Sequence, residues 1–115
     1  MSSPLAFLGL AKKAGKLAVG FTSCLEAIRS KRAKLVIIAR DAGVDKKKIV
    51  RACQENKTEY IEFGTKDEFQ KVLGRPSCFW AILSKELSEG FLAKTQEEEE
   101  EDRDGLRVNQ DGGGD

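Results

Sequence analysis

The stretch of this 115-residue sequence best suited to chemistry is the junction Val19-Gly20. An apolar step, Leu17-Ala18-Val19, stops at Gly20. Apolar residues then recur with the spacing of one helix face, at Phe21, Cys24, Leu25 and Ile28. The junction therefore places the start of a helix at the end of a strand. Because first-turn N–H groups lack intrahelical acceptors and the helix dipole is positive there, this position favours an anion such as phosphate.

The side chains available do not indicate enzymatic chemistry. The chain has no histidine, which is the commonest general base and metal ligand, and its three cysteines form no C-x-x-C pair. The segment from Gly9 to Lys16 resembles a P-loop only superficially, because five residues separate its glycines and Leu17 replaces the hydroxyl residue. We therefore expect no enzyme, no cofactor and no metal site, and cysteines that are buried and reduced.

Helical and strand patterns alternate along the chain, which predicts an α/β fold. The predicted helices cover 4–14, 21–28, 46–56, 66–73 and 84–94, and the predicted strands cover 17–19, 35–39, 58–63 and 78–83. The continuous apolar runs in 35–39 and 78–83 are typical of strands buried on both faces. We therefore predict a three-layer α/β/α sandwich with a mixed central sheet of about four strands.

Local signals predict how several of these helices begin or break. Thr65 and Glu68 form a capping box, and Asp45 can cap the helix that follows it. Lys46-Lys47-Lys48 occupies the first turn of that helix, where the dipole disfavours cations. Such a run is more typical of a solvated face than of a binding site. Gly90 is expected to interrupt a weak last helix.

Charge divides the chain into a basic domain and an acidic tail. Residues 1–60 carry 13 Lys/Arg against 5 Asp/Glu, a net of +8, and residues 61–94 are neutral. Residues 95–115 carry a net of −7 and few large apolar residues. We predict a folded domain at 1–94 that suits a polyanionic partner, and a disordered acidic tail at 95–115. Lys16 lies in a lysine cluster at the end of the first helix, where helix termination and RNA contact are equal alternatives.

Several short motifs follow one another in a recognisable order across about residues 4–94. They are Leu8-Gly9-Leu10-Ala11, Ala14-Gly15-Lys16-Leu17, Gly20, Ala27-Ile28-Arg29, Ala33-Lys34-Leu35-Val36-Ile37-Ile38-Ala39-x-Asp41-Ala42, Gly64-Thr65-Lys66, Leu73-Gly74-Arg75-Pro76 and Ala81-Ile82. Together they resemble the L-seven-Ae family of ribosomal proteins, and most closely its short bacterial YlxQ-like members.

The resemblance implies a domain that binds kink-turn RNA. In the family, the start of the helix after the glycine contacts tandem G·A pairs and backbone, and a loop before the last central strand covers an extruded base. The predicted RNA-binding residues are Lys16, Gly20, Phe21, Thr22, Ser23, Arg29, Asp41, Lys66, Arg75, Pro76 and Ser77. The chain departs from the archaeal pattern at Thr22 and Ser23, which replace Asn-Glu, and at Glu26, which replaces a lysine that faces phosphate.

The sequence thus predicts a non-catalytic RNA-binding protein, associated with the ribosome, that recognises kink-turn-like structured RNA. The alternative is a protein-interaction module on the same fold that has lost kink-turn recognition. A signal peptide and a membrane-length apolar run are both lacking, so a cytoplasmic protein without a membrane partner is expected. A monomer is expected, although the sequence leaves the oligomeric state open.

Overall fold

Five helices and four strands make up residues 4–97, the part of the chain that the computed structural model describes. The helices are α1 (Pro4–Lys13), α2 (Phe21–Arg29), α3 (Lys46–Glu55), α4 (Lys66–Leu73) and α5, which covers residues 85–97. The strands are β1 (Leu17–Val19), β2 (Leu35–Ile38), β3 (Tyr60–Glu62) and β4 (Phe79–Ile82). Helix α5 reaches residue 97 and Thr95 is buried within it, past the predicted domain boundary at Lys94. The rest of the predicted acidic tail lies outside the described residues.

The strands form one mixed sheet in the order β1-β4-β2-β3. Strands β2 and β3 are parallel, whereas β4 runs antiparallel to both β1 and β2. All residues of β2 and β4 are buried, as their continuous apolar runs predicted. Alternate side chains of these strands enter two cores: Val36, Ile38, Phe79 and Ala81 face α2 and α3, and Leu35, Ile37, Trp80 and Ile82 face α1, α4 and α5. The predicted three-layer sandwich with four strands is confirmed.

The predicted capping box at the start of α4 is present. The Glu68 N–H donates to Thr65 Oγ1 at 3.2 Å, and the Thr65 N–H donates to Glu68 Oε1 at 3.0 Å. The predicted Asp45 cap on α3 is wrong. Asp45 has helical backbone angles (φ −73°, ψ −7°) and makes no capping hydrogen bond. A capping residue normally has extended backbone, which aims its side chain at the first-turn N–H groups.

The predicted interruption of the last helix at Gly90 is also wrong, because α5 runs through this residue without a break. Gly90 lies against the ring of Phe7 in α1, and a Cβ atom added there would come within 2.5 Å of Phe7 Cε1. The glycine therefore permits a close approach of α5 to α1. This packing of α5 on α1 accounts for the unbroken helix, because most helical stability in proteins comes from tertiary packing rather than from propensity.

The predicted burial of the cysteines is confirmed for two of the three. Cys24 of α2 and Cys53 of α3 are fully buried in the core beneath these helices, while Cys78 is half-buried. Burial, with a smaller effect of the neighbouring Cys53, raises the pKa of the Cys24 thiol to about 12. Burial raises the pKa of Cys53 to about 11. Both thiols therefore stay protonated and unreactive at neutral pH.

Candidate nucleic-acid interface

Four chain segments meet at one edge of the sheet. The register pairs Val19 with Trp80 and aligns Ile38 with both Phe79 and Glu62. The carboxyl ends of β1, β2 and β3 therefore lie beside the amino end of β4. Gly20, the loop 75–78, the segment 39–42 and the segment 63–66 all follow or precede these strand ends, so we call this set of segments the loop edge.

At the loop edge, the N-terminus of α2 is open. Gly20 is the residue that precedes the helix, and it has φ 95° and ψ 166°, which glycine adopts without steric cost. Its own N–H donates to the Phe79 carbonyl at 2.9 Å, which fixes the helix start against β4. With no side chain at Gly20, no capping hydrogen bond forms. The first-turn N–H groups, which include those of Thr22 and Ser23, can therefore donate to an external acceptor.

Side chains from the two predicted contact regions line one depression, which extends along β1 from this helix start to Leu17 at the other end of the strand. Ser23 and Glu26 of α2 line a space of about 400 Å³ together with Arg75 from the loop before β4 and Arg32 from the segment after α2. Ser23, Glu26, Arg32 and Arg75 are all exposed. Two guanidinium groups and a hydroxyl are suited to contact phosphate and base edges, whereas Glu26 brings a negative charge into the same space.

The N-terminus of α4 lies at the same edge, but its N–H groups already have hydrogen-bond acceptors within the protein. Besides the capping box, the Lys66 N–H donates to the Asp41 carboxylate at 3.0 Å. Arg40, the residue before Asp41, lies with its guanidinium carbon 5.9 Å from the centre of the Phe63 ring. Two of the predicted residues, Asp41 and Lys66, therefore join the segments after β2 and β3 to each other. The Lys66 side chain remains exposed.

In the loop before β4, the predicted residues differ in exposure and in the hydrogen bonds that they make within the protein. Arg75 and Pro76 are exposed. The Ser77 hydroxyl accepts from the Phe79 N–H and donates to the Phe79 carbonyl, both at 3.2 Å, and the Ser77 carbonyl accepts from Trp80 Nε1 at 3.2 Å. Ser77 therefore shapes the loop, and Arg75 and Pro76 are the residues that the loop presents to solvent.

Two predicted residues do not lie at the loop edge. Lys16 precedes β1 and so lies at the opposite end of that strand, where its carbonyl accepts from the Leu83 N–H at 2.8 Å. Arg29 is the last residue of α2 and lines a groove between α2 and α3. Phe21 lines the same groove at the other end of α2, and its ring packs edge-on against Phe79 with a centroid distance of 6.0 Å.

Residues 5–90 match the profile of the Ribosomal protein L7Ae/L30e/S12e/Gadd45 family. The chain belongs to this family. It is also 33% identical over 95 residues to the RNA-binding protein YlxQ of Enterococcus faecium, a match that covers 78% of this chain and 84% of that protein. The resemblance that the sequence motifs indicated is therefore confirmed.

Solved structures show the same fold as this L7Ae-family chain. A Bacillus halodurans protein of unknown function superposes with a TM-score of 0.75 at 24% identity, covering 82% of this chain and 97% of that one. The Giardia lamblia 15.5kD RNA binding protein superposes with a TM-score of 0.64 at 22% identity, covering 81% of this chain and 82% of that one.

One residue of the depression in this L7Ae-family chain was missed by sequence reasoning. Arg32 belongs to a basic cluster that the sequence shows plainly, but only the turn after α2 brings its side chain to the space that Arg75 also lines. Within residues 4–97 no cluster of three or more His, Cys, Asp or Glu side chains could hold a metal ion. No helix of this same region is long and apolar enough to cross a membrane.

Proposed function

We propose that this chain is a non-catalytic protein that binds structured RNA of the kink-turn type at the loop edge. Membership of the L7Ae/L30e/S12e/Gadd45 family and the likeness to the E. faecium RNA-binding protein YlxQ support RNA as the ligand. We further propose that it acts as a monomer in the cytoplasm, in association with the ribosome.

The observation that carries the proposal is the meeting of an uncapped helix N-terminus with the exposed Arg75. Gly20 leaves the first-turn N–H groups of α2 open, and Arg75 lines the depression at the side of the same helix. N–H donors on a rigid helix recognise a fixed arrangement of acceptors, and a guanidinium group can form two parallel hydrogen bonds with phosphate. This combination suits an RNA whose backbone bends sharply and exposes base edges.

A protein-interaction module on the same fold is the second candidate. Glu26 places a carboxylate in the depression. A negative charge there repels phosphate, so this residue does not favour RNA. Glu26 therefore supports a protein partner, whereas Arg32, Arg75 and the open helix start support RNA.

Binding to two RNAs of equal length separates these candidates. A duplex with a central kink-turn and a plain duplex would be titrated with the full chain at low and moderate salt. The proposed function predicts tighter binding of the kink-turn RNA. Equal binding of both duplexes would leave only general RNA affinity, and binding of neither would favour the interaction module.

A matched pair of variants then tests the loop edge itself. Arg75→Gln should weaken kink-turn binding on the order of tenfold, because it removes a guanidinium contact from the depression. Lys85→Gln removes the same charge from the start of α5, on the other face of the sheet, and should have a much smaller effect. Similar losses in both variants would contradict the placement of the site at the loop edge.

A further inference from the structure

A basic groove runs between α2 and α3, beside the loop edge. It has a volume of about 320 Å³ and carries four cationic side chains with one carboxylate, Glu55, among its lining residues. The cations are Arg29 of α2 and Lys47, Lys48 and Arg51 of α3. We call this the α2–α3 groove. It contains no residue of the depression shared by Ser23 and Arg75.

The floor of the α2–α3 groove is apolar and begins at the loop edge. Phe21 and Leu25 of α2 and Ala52 of α3 line it, and Phe21 directly follows Gly20. Phe21 thus belongs both to the open helix start and to the groove. From Phe21 to Arg29, α2 is about 13 Å long, which is enough to follow a few successive phosphates of one strand.

Two of the four cations in the groove lie where they destabilise a helix. Lys47 and Lys48 lie in the first turn of α3, where the helix dipole opposes positive charge. Lys48 reaches Asp45 only at 3.9 Å, and the ion pair of the neighbouring Lys46 is with Glu62 of β3. Within residues 4–97, Arg29, Lys47 and Arg51 form no ion pair. Three cations that lack an ion pair thus share the groove with a single carboxylate, Glu55, and repel one another. An external anion is the partner that this arrangement suits.

We propose that the α2–α3 groove is a second contact surface for the phosphate backbone of the RNA bound at the loop edge. This inference rests on the proposed RNA-binding function and extends it to a surface beyond the bend of the RNA. The guanidinium and ammonium groups contact phosphates of the stem that leaves the loop edge, and the apolar floor packs against sugar faces. The groove contributes affinity and salt dependence without reading sequence.

The test compares two double variants of the full chain that each lower the net charge by two. Lys47→Gln with Arg51→Gln removes cations from the groove. Lys13→Gln with Lys85→Gln is the control, since Lys13 lies at the end of α1 and Lys85 in the first turn of α5, both on the other face of the sheet. The probes are one kink-turn RNA with short stems and the same kink-turn with long stems.

The proposal predicts that the groove variant binds the long-stemmed RNA on the order of tenfold more weakly than the parent chain at about 0.1 M salt. The slope of log affinity against log salt should become shallower by about one to two, as expected for two lost phosphate contacts. Binding of the short-stemmed RNA should change little, and the control variant should change both affinities little. The melting temperature of the groove variant should not fall, because repulsion has been removed.

Other results would overturn the inference. Equal losses of RNA affinity in the groove and control variants would show that the positive charge of the protein attracts RNA in general, with no particular contact at the groove. Unchanged or tighter binding of the long-stemmed RNA would show that the stem does not contact the groove. Failure of the proposed function would give a different result, because the parent chain itself would then bind neither RNA.

Discussion

Helices α3 and α4 follow neighbouring parallel strands and pack on opposite faces of the sheet. Their N-termini nevertheless differ in both capping and charge. Helix α4 has a capping box, two carboxylates in its first turn, a lysine in its last turn and Gly74 in the left-handed conformation after it. Helix α3 has no side-chain cap, three lysines in its first turn and no cation in its last turn. The start of α4 is stabilised by its cap and its charges, and the start of α3 is not. The end of α3 is satisfied by Asn56, whose Nδ2 donates to the Ala52 carbonyl at 2.8 Å.

This difference extends to the two helical layers. The layer of α1, α4 and α5 is held by local caps and by the close contact of Gly90 with Phe7. The layer of α2 and α3 presents an uncapped helix start and a groove of cations. Since α3 forms although its terminal charges oppose it, buried Ile49, Ala52 and Cys53 must hold it to the sheet. Local signals thus indicate the layer that supports the fold, and they are violated in the layer that we propose to bind RNA.

The largest expected difference between the layers arises at high pH, because the core beneath α2 and α3 contains thiols. The folded state raises the pKa of Cys24 from about 9 to about 12. The unfolded chain therefore ionises first, and stability that is fully present below pH 9 is lost as the pH rises toward 12, by up to about 4 kcal/mol. Urea unfolding across this range should show a steeper loss in the parent chain than in Cys24→Ala. Equal slopes would contradict the burial argument.

In the other layer, the close contact of α5 with α1 should tolerate no added atom. Gly90→Ala brings a methyl group against the Phe7 ring and should destabilise the fold by about 1–3 kcal/mol. Gly9→Ala is the matched control, since Gly9 lies within α1 with no atom near the position of an added Cβ. It should stabilise the fold by up to about 1 kcal/mol. Thermal unfolding of both variants measures this, and a gain for Gly90→Ala would mean that the ring moves freely.

If the α2 layer binds RNA, Glu26→Lys should tighten binding on the order of tenfold. The substitution removes a repulsion from the depression that Arg75 lines and can add a phosphate contact, which steepens the salt slope by about one to two. Glu26→Gln should give roughly half of the gain in free energy. If neither variant changes affinity or slope, the face of α2 beside Gly20 does not contact RNA.

A smaller effect separates the two helix starts directly. Thr65→Ala removes the hydroxyl that accepts from the Glu68 N–H and should lower the free energy of unfolding by about 1 kcal/mol. Asp45→Ala removes no capping bond and should cost much less. Chemical denaturation distinguishes the two variants. A comparable loss in both would mean that Asp45 stabilises α3 by charge, and the contrast between α3 and α4 would be weaker than the structure indicates.

The smallest expected effect concerns the acidic residues after the described part of the chain. Replacing Glu98, Glu99, Glu100 and Glu101 with glutamine should tighten RNA binding a few-fold at low salt, because these carboxylates compete with phosphate for the basic layer. The gain should vanish as salt screens the charges. Equal affinities at low salt would show that this segment does not act on the binding layer.

Much of this molecule follows from sequence because it depends on local chemistry. Continuous apolar runs placed β2 and β4 in a buried sheet, and the spacing of Thr65 and Glu68 predicted a capping box that forms as expected. The step from Val19 to Gly20 predicted an open helix start, since glycine cannot cap through a side chain. These features involve residues at most a few positions apart, so the sequence contains everything that decides them.

Only the tertiary structure decided the rest, because it depends on residues far apart in the chain. Gly90 was misread as a helix break since its partner, Phe7, lies in the first helix. The antiparallel insertion of β4 between β1 and β2 is what brings Arg75 beside Ser23 and places Phe21 against Phe79. Likewise, the lysine run of α3 resembles a solvated face until α2 packs beside it with Arg29 and completes a groove. The sequence determines which side chains are present, whereas the packing of helices on the sheet determines which of them act together.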